Sequence, residues 1–98
     1  MAANKKLTGI IKGRTIKTAS VGDDAITITF SDGSSMKVKT GAKAEAAALN
    51  GREVKAVRQQ GTTLNLDFTD GTSAQVMLAE ATSSVMLRDS KGTMEYAD

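Results

Sequence analysis

The chain has no cysteine, no histidine, no proline and no tryptophan. Each absence closes something off. Without cysteine there is no disulfide framework, no thiolate nucleophile and no thiolate metal ligand. Without histidine the commonest general base at neutral pH is missing, so neither a Ser–His–Asp nor a Cys–His arrangement can form. Without proline the chain lacks one device that blocks sheet edges, which favours closure of the sheet or dimerisation. Only three aromatics are present, Phe30, Phe68 and Tyr96, so the core must be built from Ile, Leu, Val, Met and Ala. Long apolar runs are missing too. After Lys5 and Lys6 the longest near the N-terminus is Ile10-Ile11, far short of a signal-peptide core or the roughly 20 residues of a membrane helix. The expectation is a soluble, cytoplasmic chain with no membrane partner.

What is present is a balanced but uneven composition. The 98 residues, 40% hydrophobic and 24% charged, suit one globular domain over residues 1–98. Net charge is +2. Residues 1–49 carry eight Lys/Arg against four Asp/Glu, and residues 50–98 carry five against seven. The first 20 residues hold Lys5, Lys6, Lys12, Arg14 and Lys17 and no acid. Such asymmetry is either a partner signal or a solvated surface.

The strongest signal is an internal repeat. Residues 13–40 align with residues 51–78 without a gap, at an offset of 38. Gly-Arg-Thr-Ile-Lys at 13–17 meets Gly-Arg-Glu-Val-Lys at 51–55, and the run from Ile26 to Ser35 meets the run from Leu64 to Ser73. Eight of the 28 positions are identical: Gly13, Arg14, Lys17, Phe30, Asp32, Gly33, Ser35 and Val38. A common hairpin pattern explains Phe-x-Asp-Gly; it does not explain Gly-Arg-x-x-Lys at the same distance upstream. Tandem duplication is the better account.

Each copy reads as three strands. Ile26, Ile28 and Phe30 alternate with Thr27, Thr29 and Ser31, then Met36 and Val38 alternate with Lys37 and Lys39, a period of two. Asp32-Gly33 between the runs predicts a tight two-residue turn with positive φ at both positions. Leu64, Leu66, Phe68, Asp70-Gly71, Ala74 and Val76 repeat the scheme. A further strand precedes each hairpin, over 14–21 and 52–59. Val54 and Val57 stand three apart, which points to a bulge. Ala42 to Leu49 is the best helix-forming run in the chain, stopped by Asn50-Gly51. Val85, Leu87, Met94 and Tyr96 flank Asp89 to Gly92 and predict a last hairpin within 84–97. The expected fold is all-β, mainly antiparallel, with one short α-helix at 42–49. Two tandem three-stranded β-meander repeats and a C-terminal hairpin would form a small barrel or sandwich.

No catalytic, cofactor or metal constellation emerges. Asp32 and Asp70 are paired carboxylates in principle, but each sits where a turn needs it. Asp23-Asp24 lacks the spaced oxygen ligands of a calcium loop. The glycines of Gly9-x-x-x-Gly13-Arg14 do not end in the Gly-Lys-Ser/Thr of a phosphate loop. The expectation is therefore a non-enzyme without cofactor. Two functional readings follow. In the first, the domain is a binding or scaffold module acting through protein–protein contacts, with a protein partner or a second copy. Met77 and Met86 then form a contact surface, unless they belong to a second core layer. In the second, Lys12, Arg14, Lys17, Lys37 and Lys39 form a basic patch for nucleic acid. Phe30 and Phe68 belong to the core in that scheme, leaving Tyr96 to stack.

Overall fold

Alternating strands with one apolar face each need a second apolar face to cover them, and this chain supplies two sheets. The computed structural model describes residues 2–3, 5–41, 49–80 and 84–97. Its elements are β1 (Ala2–Ala3), α1 (Lys5–Ile11), β2 (Ile16–Val21), β3 (Ala25–Phe30), β4 (Ser35–Lys39), β5 (Val54–Gln60), β6 (Thr63–Phe68), β7 (Ser73–Met77), β8 (Val85–Arg88) and β9 (Met94–Ala97). One sheet has the order β2-β3-β4-β8-β9, the other β1-β5-β6-β7. Every pairing is antiparallel. The sheets do not close into a barrel; the fold is all-β and sandwich-like.

The core follows the alternation. Ile26, Ile28, Phe30, Met36 and Val38 are buried from the first unit, and Leu64, Leu66, Phe68 and Val76 from the second. Val85, Leu87 and Tyr96 add the inner face of the C-terminal hairpin. Tyr96 is only 7% exposed. Its ring is thus part of the core, and the expectation that it is free to stack is corrected: the β9 alternation turns it inward opposite Leu87.

The two meanders, β2-β3-β4 and β5-β6-β7, are laid out bond for bond alike and grip each other reciprocally. Gly13 N donates to Val54 O (2.8 Å), and 38 residues on Gly51 N donates to Ile16 O (2.7 Å). Ile16 N donates to Arg52 O and Val54 N to Arg14 O, both at 2.9 Å. Gly41 N to Met77 O and Ala79 N to Lys39 O, both at 3.0 Å, join the far ends. Thr15 bridges its own counterpart Glu53, and Thr40 bridges Leu78. The units are related by a pseudo-two-fold arrangement, like the halves of an isologous dimer.

Both β2 and β5 carry a register shift, at Ile16/Thr18 and at Val54/Ala56. The residue left over is Lys17 in one and Lys55 in the other. The shared lysine is thus the bulge residue, and its exposed side chain suits that place.

The turns differ from the two-residue form expected. Phe30 N donates to Ser34 O (2.8 Å) and Gly33 N to Phe30 O (3.1 Å). This is a three-residue loop with a bulge, in which the glycine (φ 90°) takes the left-handed position. Asp32 instead uses its side chain: Oδ1 accepts from Ser34 N (2.9 Å) and from Ser34 Oγ. Asp70 does the same with Thr72.

The helix predicted at 42–49 falls on residues 42–48, outside the described residues. A helix that sequence reasoning missed lies 38 residues earlier. Lys5–Ile11 contains Gly9, Thr8 and two isoleucines, all poor helix formers. Packing overrides propensity: Leu7 and Ile11, four apart and on one face, are fully buried. Thr8 ties the helix to the sheet, its Oγ1 accepting from Val57 N (2.9 Å) and lying 3.3 Å from Val57 O.

Candidate interaction surface

Of the five cations proposed as a basic patch, Arg14 has a structural post. Its guanidinium lies 6.0 Å from the centre of the Phe30 ring. It donates to Ser34 Oγ (3.0 Å) and, through two nitrogens, to the Glu95 carboxylate (2.9 and 3.1 Å), and it pairs with Asp32 at 3.4 Å. The Glu95 hydrogen bonds lead the causes that hold Arg14 above the ordinary arginine pKa. Arg52 repeats the unit over Phe68 (5.8 Å), bonded to Asp70 (2.8 Å) and to Thr72, but among the described residues without a counterpart of Glu95. This explains why Gly-Arg and Phe-x-Asp-Gly recur together: Arg, Phe, Asp and Ser/Thr form one small cluster that locks strand entry to turn. The hydrogen bonds from Ser34 and Thr72 hold the Asp32 and Asp70 carboxyls below the usual carboxylate range.

The other four cations are exposed but do not all converge. Lys12 stands in the turn after α1 and Lys17 at the β2 bulge. Lys37 and Lys39 project from the outer face of β4, because their neighbours Met36 and Val38 are buried. Register places more beside them. Lys37 pairs with Thr27 on one side and Met86 on the other, and Ser35 in the next outer row pairs with Arg88. Arg88 in turn pairs with Met94. Met86 and Met94 are 37% and 46% exposed. The Arg88 guanidinium donates to Gly92 O (3.0 Å) and lies 3.5 Å from the Met86 sulfur. Lys37, Lys39 and Arg88, interleaved with two methionines and bordered by Ser20, Thr27, Thr29 and Ser35, thus share the outer face of the five-stranded sheet. No carboxylate is a register partner of any of the three cations.

The two methionines proposed as one contact surface are on different sheets. Met86 belongs to the face just described. Met77, 41% exposed, lies on β7 opposite Thr63, whose Oγ1 is 3.8 Å from its sulfur. Sequence reasoning missed Arg88 and Met94. The signal was there in β8, where Val85 and Leu87 alternate inward and so turn Met86 and Arg88 outward.

The outer face of the four-stranded sheet is different. Arg58 grips Asp67 with two hydrogen bonds of 2.8 Å each, which raise its pKa. Gln75 and Met77 stand where the first unit has Lys37 and Lys39. Among the described residues no cluster of three or more His, Cys, Asp or Glu is placed to hold a metal ion, and no helix is long and apolar enough to cross a membrane. Compared with known protein families, curated proteins and solved structures, the chain matches none.

Proposed function

We propose that this protein is a non-catalytic binding module that takes an acidic segment of another protein on the outer face of its five-stranded sheet. The observation that carries the reading is a set of cations with no carboxylate as register partner among the described residues, set beside exposed apolar surface on one rigid face. Lys37, Lys39 and Arg88 supply attraction and orientation, and Met86 and Met94 supply adaptable apolar contact. Rigid strands hold both sets, which limits the ordering cost of binding. The absence of histidine and cysteine supports a role without catalysis. Nucleic acid would use the same cations, but the aromatics that grip unpaired bases are all buried here.

The test is a titration followed by backbone amide shifts, with a glutamate-rich peptide carrying leucines and, separately, a mixed single-stranded oligonucleotide. The peptide is expected to move Lys37, Lys39, Met86, Arg88 and Met94. The double change Lys37→Glu with Arg88→Glu should weaken binding at least about tenfold. Shifts confined to the oligonucleotide, with a steep fall in affinity as salt rises, would replace the protein-binding reading with the nucleic-acid one. No shift with either probe would reject both.

A further inference from the structure

We propose that the segment received by the basic face is an amphipathic α-helix, with acidic residues at i, i+4 and i+8 and apolar residues at i+3 and i+7. The inference rests on the reading of that face as a site for an acidic protein segment, and adds the shape and spacing of the segment.

Register sorts the outer face into rows. Thr29, Ser35, Arg88 and Met94 form one row across β3, β4, β8 and β9, and Thr27, Lys37, Met86 and Ala97 form the next. Lys39 stands on β4 one row further. In the first two rows a cation has a methionine on the neighbouring strand, each time on the same side: Arg88 on β8 beside Met94 on β9, Lys37 on β4 beside Met86 on β8. From the first row to the second, both shift by one strand. The result is a stripe of cations, Arg88, Lys37 and Lys39, with a parallel stripe of exposed methionines, Met94 and Met86, beside it. The stripes lie about 4.8 Å apart, one strand spacing.

The backbone limits what can lie on these stripes. β4 is bonded to β3 and β8, and β8 to β4 and β9, so both are interior strands. Recognition falls to side chains, and a partner must satisfy its own backbone groups. A helix does so within itself. An extended segment does not, and it turns only alternate side chains to a surface, in one line. It would meet the cations or the methionines, not both. A helix presents two adjoining lines. Residues three apart are turned by about 60° on a cylinder about 10 Å wide, which sets their lines about 5 Å apart. Along one line, four residues advance about 6 Å. On the sheet, Lys37 to Lys39 is about 6.8 Å, and Arg88 to Lys37, one row and one strand, is about 8 Å. The Arg88 head shortens that longer step: its guanidinium lies 3.5 Å from the sulfur of Met86, which stands in the Lys37 row.

Among the described residues the outer face of the four-stranded sheet has no such pair of stripes. Where the first unit has Lys37 and Lys39, the second has Gln75 and Met77, and Arg58 is taken by Asp67. One helix per chain is therefore expected.

The experiment is a calorimetric titration of the intact chain with capped peptides of four repeats. Repeats of Glu-Ala-Gln-Leu set glutamate and leucine three apart. Repeats of Glu-Ala-Leu-Gln have the same composition but turn leucine to the opposite side of the helix. A third peptide is the first with proline at its two central alanines, which breaks the helix. The first should bind one to one, with its helical circular dichroism rising on binding. The other two should bind at least about tenfold more weakly. The double change Met86→Ser with Met94→Ser, at exposed positions outside the core, should weaken the first peptide to the level of the second and leave the second unchanged. Equal affinity for all three peptides would overturn the helix and leave the acidic-segment reading standing. So would a first peptide insensitive to the loss of both methionines. No binding by any of the three would remove both readings.

Discussion

The two meanders share their strands, bulges, turns and arginine clusters, and differ in what lies beside them. Beside β4 lies the C-terminal hairpin; beside β7 the described chain places no strand. That one difference separates the copies in packing and in charge. Glu95 of β9 reaches Arg14, and among the described residues none does the same for Arg52. Leu87 of β8 pairs with the fully buried Met36, whereas Ala74 is only partly buried and among the described residues has no strand on its far side. The lesson is that similar local sequence gives similar local bonds, while neighbours set how much each bond contributes to stability.

The arginines should show the contrast most strongly. Replacing Arg14 by Ala removes its bonds to Glu95, Asp32 and Ser34 and strands Glu95 half-buried, a loss of about 1–3 kcal/mol. Arg52→Ala breaks an exposed pair, 29% and 52% accessible, and should cost clearly less. Urea denaturation of both variants gives the comparison. Equal losses would mean that the hairpin adds nothing to the first cluster.

The turn glycines come next. Both Gly33 and Gly71 hold positive φ, so alanine at either is strained by about 1–2 kcal/mol. An added Cβ at Gly33 would also come within 3.0 Å of Ser90 Cβ, whereas at Gly71 it meets nothing within 4 Å. Gly33→Ala should therefore lower the midpoint further than Gly71→Ala. Adding Ser90→Gly should bring the two together.

The smallest effect is in pH. Asp32 and Asp70 both have folded pKa values below their unfolded ones, so the unfolded chain binds more protons. Their stabilisation is present above the unfolded value of about 3.9 and is lost as pH falls through the lower folded values. Both side chains are about half exposed, which keeps the contribution modest. Melting temperature should decline more steeply below pH 4 in the wild type than in the double variant Asp32→Asn, Asp70→Asn, if about 3.9 marks the unfolded carboxylates. Parallel curves would assign the acid sensitivity elsewhere.

Much of this was legible in the chain. The period of two placed Ile28, Phe30, Leu66 and Phe68 inside and Lys37 outside, and left Met86 open between surface and a second core layer. The aligned Gly-Arg and Asp-Gly motifs announced two like units. Other features were not legible, because tertiary contacts decide them. The Lys5–Ile11 helix exists through burial of Leu7 and Ile11 and the grip of Thr8 on Val57, which no propensity scale contains. The turn type depended on how Asp32 uses its carboxylate, which Asp-Gly alone leaves open. Arg14 read as a surface cation until Glu95, 81 residues away, came beside it. Arg88 and Met94 joined the face only once β8 was seen to pair with β4.

The reciprocal bonds between the meanders bear on how the chain reaches this state. The entry of β2 is held by Arg52, Gly51 and Val54, and its own sheet is completed only by residues 85–97. A nascent first half therefore leaves the ribosome with an open ladder at both ends. Its closure waits on contacts distant in sequence, so folding is expected to be a single cooperative step, slowed by the high contact order of the join. Hydrogen exchange initiated under native conditions should then release the strand amides of both meanders together rather than one unit before the other.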